Sequence, residues 1–286
     1  MRTLVSICSV IGVLISIWYF AAFSLNSPWA FDKAKRAGVE ISTKELILDT
    51  WSQEKPKLPA PHQVASELWK TTIEKKITSK RSLIFHSWIT LSSTLLGFLI
   101  GTSLGILLAI GIVHNNAMNM SVMPWAIASQ TIPILAIAPM IIVVLNSIGL
   151  QGLLPKAIIS SYLCFFPVVV GMVKGLRSPD KIDTDLLHTY NATSIQKFWK
   201  LRLPTSIPFL FASLKVGISA SLVGAIVGEL PTGAVRGLGA RLLAGSYYGQ
   251  TIQIWSALLM AAMLAAVLVG ILALMQKLTL RRMGIA

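Results

Sequence analysis

The chain has 286 residues, of which 54% are hydrophobic and only 13% charged, and its mean hydropathy is +0.71. A soluble domain carries about 25% charge, so a water-soluble globular class is excluded. The net charge of +14 is read as basic residues flanking apolar segments, where they set topology and meet anionic headgroups, and no nucleic-acid partner is expected. Apolar runs of about 20 residues, each enough to cross a hydrocarbon layer of roughly 30 Å, recur along the chain and predict an all-α, polytopic protein embedded in a lipid bilayer.

The first run, residues 4–25, follows Arg2 and ends near Asn26, Ser27 and Pro28. A basic residue before an apolar core is also the mark of a cleaved signal peptide. The length of the run, with Trp18, Tyr19 and Trp29 as interfacial anchors, favours a retained transmembrane anchor over residues 1–25. Residues 26–86 turn polar, hold 11 lysines and arginines, and break at Pro56-Lys57-Leu58-Pro59-Ala60-Pro61. Beyond the break Val64, Leu68, Trp69, Ile73 and Ile77 keep a helical spacing, which predicts a short amphipathic helix lying on the bilayer surface.

A second span covers residues 87–113, and in it Ser93, Gly97, Gly101, Gly105 and Ala109 fall at every fourth position. Small residues in one row let helix backbones approach closely where lipid offers little hydrophobic drive. The third span, 122–146, is interrupted by Pro124, Pro133 and Pro139. Each proline removes a backbone donor, so Ser129, Gln130, Thr131, Pro133 and Asn146 are candidates for a solute pathway, with a simple packing kink as the equal alternative.

The fourth, fifth and sixth spans are expected over residues 153–173, 207–228 and 253–275. An even count places both termini on one side, and the basic tail Lys277, Arg281 and Arg282 makes that side cytoplasmic. Residues 26–86 then lie outside; a loop of about 60 residues crosses largely regardless of charge, although Lys75, Lys76, Lys80 and Arg81 beside the second span are not accounted for. Cys8 and Cys164 sit in apolar runs and are expected as buried thiols. Lys156 and Lys215 are expected to snorkel towards span ends. Glu229 closes the fifth span against the helix dipole, so a pathway or gating role for it and for Thr232 is set against an ion pair with Arg236 or Arg241.

Residues 174–206 form the long polar loop on the cytoplasmic side and read as two short helices. Ser178-Pro179-Asp180 offers a cap, a first-turn proline and an acid for the first, ahead of Ile182, Leu186, Leu187 and Tyr190. Asn191 interrupts, and Thr193 or Ser194 can cap again. Ile195, Phe198, Trp199 and Arg202 are then expected on one face before Leu203-Pro204 stops the helix. A docked partner explains the aromatic pair; folding back onto the membrane interface is the alternative.

At this loop the sequence resembles the permease subunits of bacterial ABC importers, whose loop carries Glu-Ala-Ala, three residues, Gly, nine residues and Ile-x-Leu-Pro. Leu201-x-Leu203-Pro204 fits the end of that pattern, Asn191 stands at the glycine and Asp185-Leu186-Leu187 at Glu-Ala-Ala. The likeness runs from Pro59 to the C-terminus. Its proline-interrupted third span and Gly228-Glu229-Leu230-Pro231-Thr232-Gly233 are similar to the nitrate, sulfonate and taurine branch, with 228–254 nearest to pyrimidine or thiamine-precursor permeases. The resemblance implies six transmembrane helices in a type I importer fold, with a core over 87–286. It also implies a permease homodimer in the bacterial inner membrane, a cytoplasmic ATPase subunit and a periplasmic solute-binding protein. Asp185, Leu186, Leu187, Asn191, Phe198, Trp199, Leu201, Leu203 and Pro204 would form the ATPase-coupling loop.

The sequence has no Gly-x4-Gly-Lys-Ser/Thr phosphate loop, so ATP is expected on the partner ATPase and no cofactor on this chain. His62, His86, His114 and His188 lack ligand spacing, so no metal site is expected. The competing class is a secondary transporter or channel, against which the spans show neither a central acid or histidine for ion coupling nor an inverted repeat.

Overall fold

The computed structural model describes residues 2–38, 42–231 and 236–284, side chains of 2–4 excepted. Across these residues the chain is helical: α1 Arg2–Ala37, α2 Thr43–Ser52, α3 Pro61–Trp69, α4 Leu83–His114, α5 Asn116–Ser129, α6 Ile134–Ser147, α7 Leu153–Leu176, α8 Lys181–Thr189, α9 Ser194–Lys197, α10 Leu203–Glu229, α11 Leu238–Tyr247 and α12 Thr251–Arg282. π-helical turns follow α3 at Lys70–Glu74 and α9 at Phe198–Arg202. Two compact units result, Met1–Ser87 with Ala240–Ala261, and Trp88–Gly239 with Ala262–Ala286.

In the first unit α1 does not end at Asn26. It continues to Ala37 through Pro28, and the Ser27 hydroxyl donates to the Ser24 carbonyl (3.2 Å), the acceptor the proline cannot serve. Asn26 is buried and acts as a clamp: its amide donates to Thr50 O (3.1 Å) and Leu58 O (2.9 Å), and its Oδ1 accepts from the N–H groups of Lys57 (2.9 Å) and Leu58 (3.2 Å). Trp18 donates its indole N–H to Pro59 O and lies 5.1 Å from the Trp255 ring. α2 has no counterpart in the sequence reading. The amphipathic stretch forms α3 and its π-turn, with Val64 buried and Trp69 and Ile73 exposed; Ile77 falls beyond the helix. Cys8 is exposed on α1, contrary to expectation, while Cys164 is buried.

Five helices are long and apolar enough to cross a membrane, and α5 with α6, bent by 100°, makes a sixth candidate. The packing of the second unit settles how that pair counts. A Cβ at Gly101 would meet Ser161 O at 2.8 Å and one at Gly105 would meet Val168 Cβ at 2.9 Å, so α4 and α7 advance together and are parallel. α10 runs the other way along α7: Gly228 faces Lys156, Gly224 faces Ser160, and Gly175 faces Ser206 and Phe209. Two consecutive parallel spans require a return crossing between them. α5 begins it, with Met118 and Val122 packed on Ile112 and Leu176, the C-terminal ends of α4 and α7. α6 completes it, with Ala138 and Ile142 packed on Ile159 and Val227 at the opposite end. The row of small residues on α4 is thus a close-packing seam against α7. Ser160, Ser221 and Thr94 link the same three helices: Ser160 Oγ donates to Ser221 O (2.7 Å) and Ser221 Oγ to Thr94 O (2.8 Å).

Candidate functional site

The loop between α7 and α10 sits at the end of the second unit where α4 and α7 terminate. Ser178 serves α7 rather than α8: its hydroxyl donates to Gly175 O (2.7 Å), and α8 opens two residues later than expected, behind Asp180, with Pro179 outside it. At the other end of α8, Ala192 N–H reaches Leu187 O (3.0 Å) and Asn191 N–H reaches His188 O (2.9 Å), the paired bonds of a Schellman closure. That closure needs a left-handed residue at its hinge. Asn191 supplies it with φ +51°, the one positive φ outside glycine among the described residues. Thr193 then caps α9, accepting from Gln196 N–H (3.3 Å), while Gln196 Oε1 accepts from Thr193 N–H (2.9 Å).

Pro204 does not stop the helix. α9, the π-turn and α10 form one uninterrupted run from Ser194 to Glu229, because the π-turn widens the hydrogen-bond register just before the residue that has no N–H. Thr205 Oγ1 donates to Leu201 O (2.7 Å), taking one of the carbonyls at the junction. The two aromatics expected on one face meet edge to face, with ring centroids 5.5 Å apart, but differ in burial. Phe198 turns inward onto the cluster of Ile112, Met172 and Leu176 and meets the His114 ring at 5.3 Å, whereas Trp199 stays 62% exposed. Phe198, Trp199, Ile195, Ser194, Ile110 and His114 line a groove of about 170 Å3.

α8 buries no residue. Ile182, Leu186 and Tyr190, four apart, form an outward stripe (81%, 54% and 77% exposed), and Ile195 and Trp199 extend the apolar surface beyond the Asn191 turn. Asp185 is exposed beside this stripe, and Leu187 is half-buried at the closure; Leu201, Leu203 and Pro204 are half-buried where the loop enters α10.

The candidate pathway residues do not form one site. Ser129, Gln130, Thr131 and Pro133 lie at the break between α5 and α6, where the Tyr162 hydroxyl donates to the Ser129 carbonyl. Tyr162 is midway along α7, so the break falls near the middle of the crossing. Gln130, Thr131 and Pro133 are exposed there, and the Thr131 hydroxyl is turned back to Ala128 O (2.8 Å). Asn146 is exposed at the far end of α6, about 20 Å along that helix from the break. Thr232 lies outside the described residues.

Glu229 belongs to neither place. It is 0% exposed, and both its oxygens accept from Thr90 Oγ1 at 3.0 Å. One oxygen also accepts from Gly239 N–H at 2.8 Å, and Lys156 Nζ stands 3.8 Å away and donates to Arg236 O (3.5 Å). Thr90 Oγ1 in turn accepts from Leu238 N–H (2.9 Å). A fully enclosed carboxylate cannot touch a solute in this arrangement. It clasps the chain that follows α10 onto the starts of α4 and α7. Lys156 is therefore a buried partner rather than a snorkelling side chain, and Gly237 is required because a Cβ there would collide with the Glu229 carboxylate. Sequence reasoning missed Thr90, Gly237 and Gly239 and gave Lys156 a different role; the only local signal was an acid placed against its own helix dipole.

Residues 101–285 match the family described as binding-protein-dependent transport system inner membrane component. The chain is 32% identical over 183 residues to the formylaminopyrimidine transport permease protein ThiX of Halalkalibacterium halodurans, covering 64% of this chain and 68% of that one. It is 28% identical to the riboflavin transport system permease protein RibX of Chloroflexus aurantiacus, over 78% of this chain and 80% of the relative. It is 23% identical to the nitrate import permease protein NrtB of Leptolyngbya laminosa, over 61% and 62%.

Proposed function

The chain belongs to the binding-protein-dependent transport system inner membrane components, the permeases of ABC importers, and from that premise we propose that it forms the passage of an ATP-driven importer. In this reading a periplasmic solute-binding protein delivers a small polar solute, and a separate cytoplasmic ATPase subunit binds ATP. Two copies of the permease enclose the passage in a bacterial inner membrane. The observation that carries it is the outward apolar stripe of Ile182, Leu186 and Tyr190, extended by Ile195 and Trp199 and set in place by the Asn191 turn. Such a surface on a helix with no buried residue suits a protein cleft.

The ATPase is proposed to hold α8 and to move the segment 194–202 with it. That segment is continuous with α10, and Phe198 ties it to the ends of α4 and α7, so motion at the loop passes directly into the spans. Lys174, Arg177, Lys181, Lys197, Lys200 and Arg202 all lie at or near this end, which supports a cytoplasmic loop with both termini on the same side. Ser129, Gln130, Thr131 and Pro133 are proposed as pathway residues, since irregular backbone at mid-membrane depth is tolerated where it lines a watery cavity. The likeness to ThiX supports a pyrimidine-type or thiamine-precursor solute within the nitrate, sulfonate and taurine branch.

Purification of the tagged permease from its own host tests the reading. An ATPase subunit is expected to co-purify, and the reconstituted pair is expected to hydrolyse ATP faster when solute-loaded binding protein is added. Uptake driven by an ion gradient with no ATPase attached would instead identify a secondary transporter.

A further inference from the structure

Lys215 was expected to reach a span end, and the helix geometry forbids it. It lies 12 residues after Leu203 and 14 before Glu229 in α10, about 18 and 21 Å from the two ends at 1.5 Å per residue. The α7 contacts fix its depth independently: Gly171 meets Ser213 and Gly217 meets Cys164, so Lys215 falls level with the interior of α7. A four-carbon stem of roughly 6 Å cannot bring its ammonium to either headgroup region.

The Lys215 ammonium has neither an ion-pair nor a hydrogen-bond partner among the described residues. It is partly buried, at the border of an exposed strip of α10: Ala212, Val216 and Val223 are exposed, and the half-buried Ser219 turns its hydroxyl back to Lys215 O (3.1 Å). An unpaired cation in the centre of a hydrocarbon layer is strongly disfavoured, and intramembrane charges face a watery cavity or a partner. Building on the permease reading above, and narrowing its solute to one of that branch that carries an anionic group, we propose that this strip of α10 lines a water-filled passage and that Lys215 binds that group, a carboxylate, sulfonate or phosphate. Its compact ammonium with three rotating donors suits oxyanions of any of these shapes.

Thiol labelling at Ser219, one helical turn from Lys215, tests the proposal without knowledge of the solute. Ser219→Cys in a Cys8→Ser, Cys164→Ala background is expected to react with water-soluble methanethiosulfonates. Two unit charges about 6 Å apart in water make the anionic sulfonatoethyl reagent faster than the cationic ethylammonium reagent by about tenfold relative to the same protein carrying Lys215→Met. Lys215→Arg is expected to keep the preference, which separates loss of charge from loss of fold. No reaction at Ser219→Cys in protein that elutes as a folded species would show that the strip faces lipid or another copy. A charge preference unchanged by Lys215→Met would show that Lys215 does not act on anions. Either result overturns the proposal. Absence of a co-purifying ATPase would strike the permease reading and leave this measurement readable.

Discussion

Asn191→Val acts on one backbone torsion, and its consequence follows from how little else holds α8. At φ +51° an ordinary L-residue costs roughly 1–2 kcal/mol, and a β-branched one more, because its Cβ crowds the following carbonyl. α8 has nine residues and no buried side chain, so neither length nor packing offsets that strain. A penalty of about 1–2 kcal/mol lowers the population of the ordered loop some 5- to 30-fold, which appears directly as weaker ATPase binding. Asn191→Gly removes the strain and leaves the Schellman bonds intact, so it is expected to bind at least as well as the parent. The assay is the dissociation constant of the ATPase for detergent-solubilised permease, with substrate-stimulated ATP hydrolysis measured in parallel. A valine variant that binds and couples like the parent would refute the assignment of this turn as the element that aims Ile182, Leu186 and Trp199.

Three further outcomes are expected. Glu229→Gln keeps an acceptor for Thr90 and Gly239 but leaves Lys156 as an uncompensated buried charge, so folded yield and thermal stability should fall along with uptake, by about 3 kcal/mol or more; intact stability with lost uptake would restore a pathway role. Lys156→Met combined with Glu229→Gln should recover much of that stability, as measured by thermal unfolding in detergent, because the orphaned charge is gone. Single cysteines replacing Lys44 or Lys57 should react with an impermeant thiol reagent in intact cells and one replacing Thr193 should not, and the reverse pattern would invert the proposed orientation.

The parts of the fold visible in the sequence are those that depend on local periodicity. Apolar runs marked the spans, the four-residue row from Ser93 to Ala109 marked the α4 face that meets α7, and an asparagine at the loop's turn position marked the left-handed hinge that the structure contains. What was hidden depends on partners distant in sequence. Thr90 and Glu229 are 139 residues apart, and nothing local to either announces the other. Asn26 looked like a helix end because its role is played by carbonyls of residues 50–58. Pro204 looked like a stop because a π-turn, which widens the hydrogen-bond ladder by one residue, leaves no compositional trace. The break at Pro133 was legible as a kink, but its depth and its role as the return crossing required the parallel register of α4 and α7.

Site-specific photo-crosslinking in the native membrane tests whether an ATPase grips this permease at the loop of α8 and α9. A photoreactive phenylalanine analogue at Leu186 or Trp199, both exposed on the loop, should capture the ATPase subunit, while one at Trp125, exposed on α5, should not. Capture of the ATPase should be lost with Asn191→Val and kept with Asn191→Gly. Cross-linking of Leu186 and Trp199 to lipid alone, in membranes where the permease is transporting, would contradict the claim and return the loop to the bilayer interface.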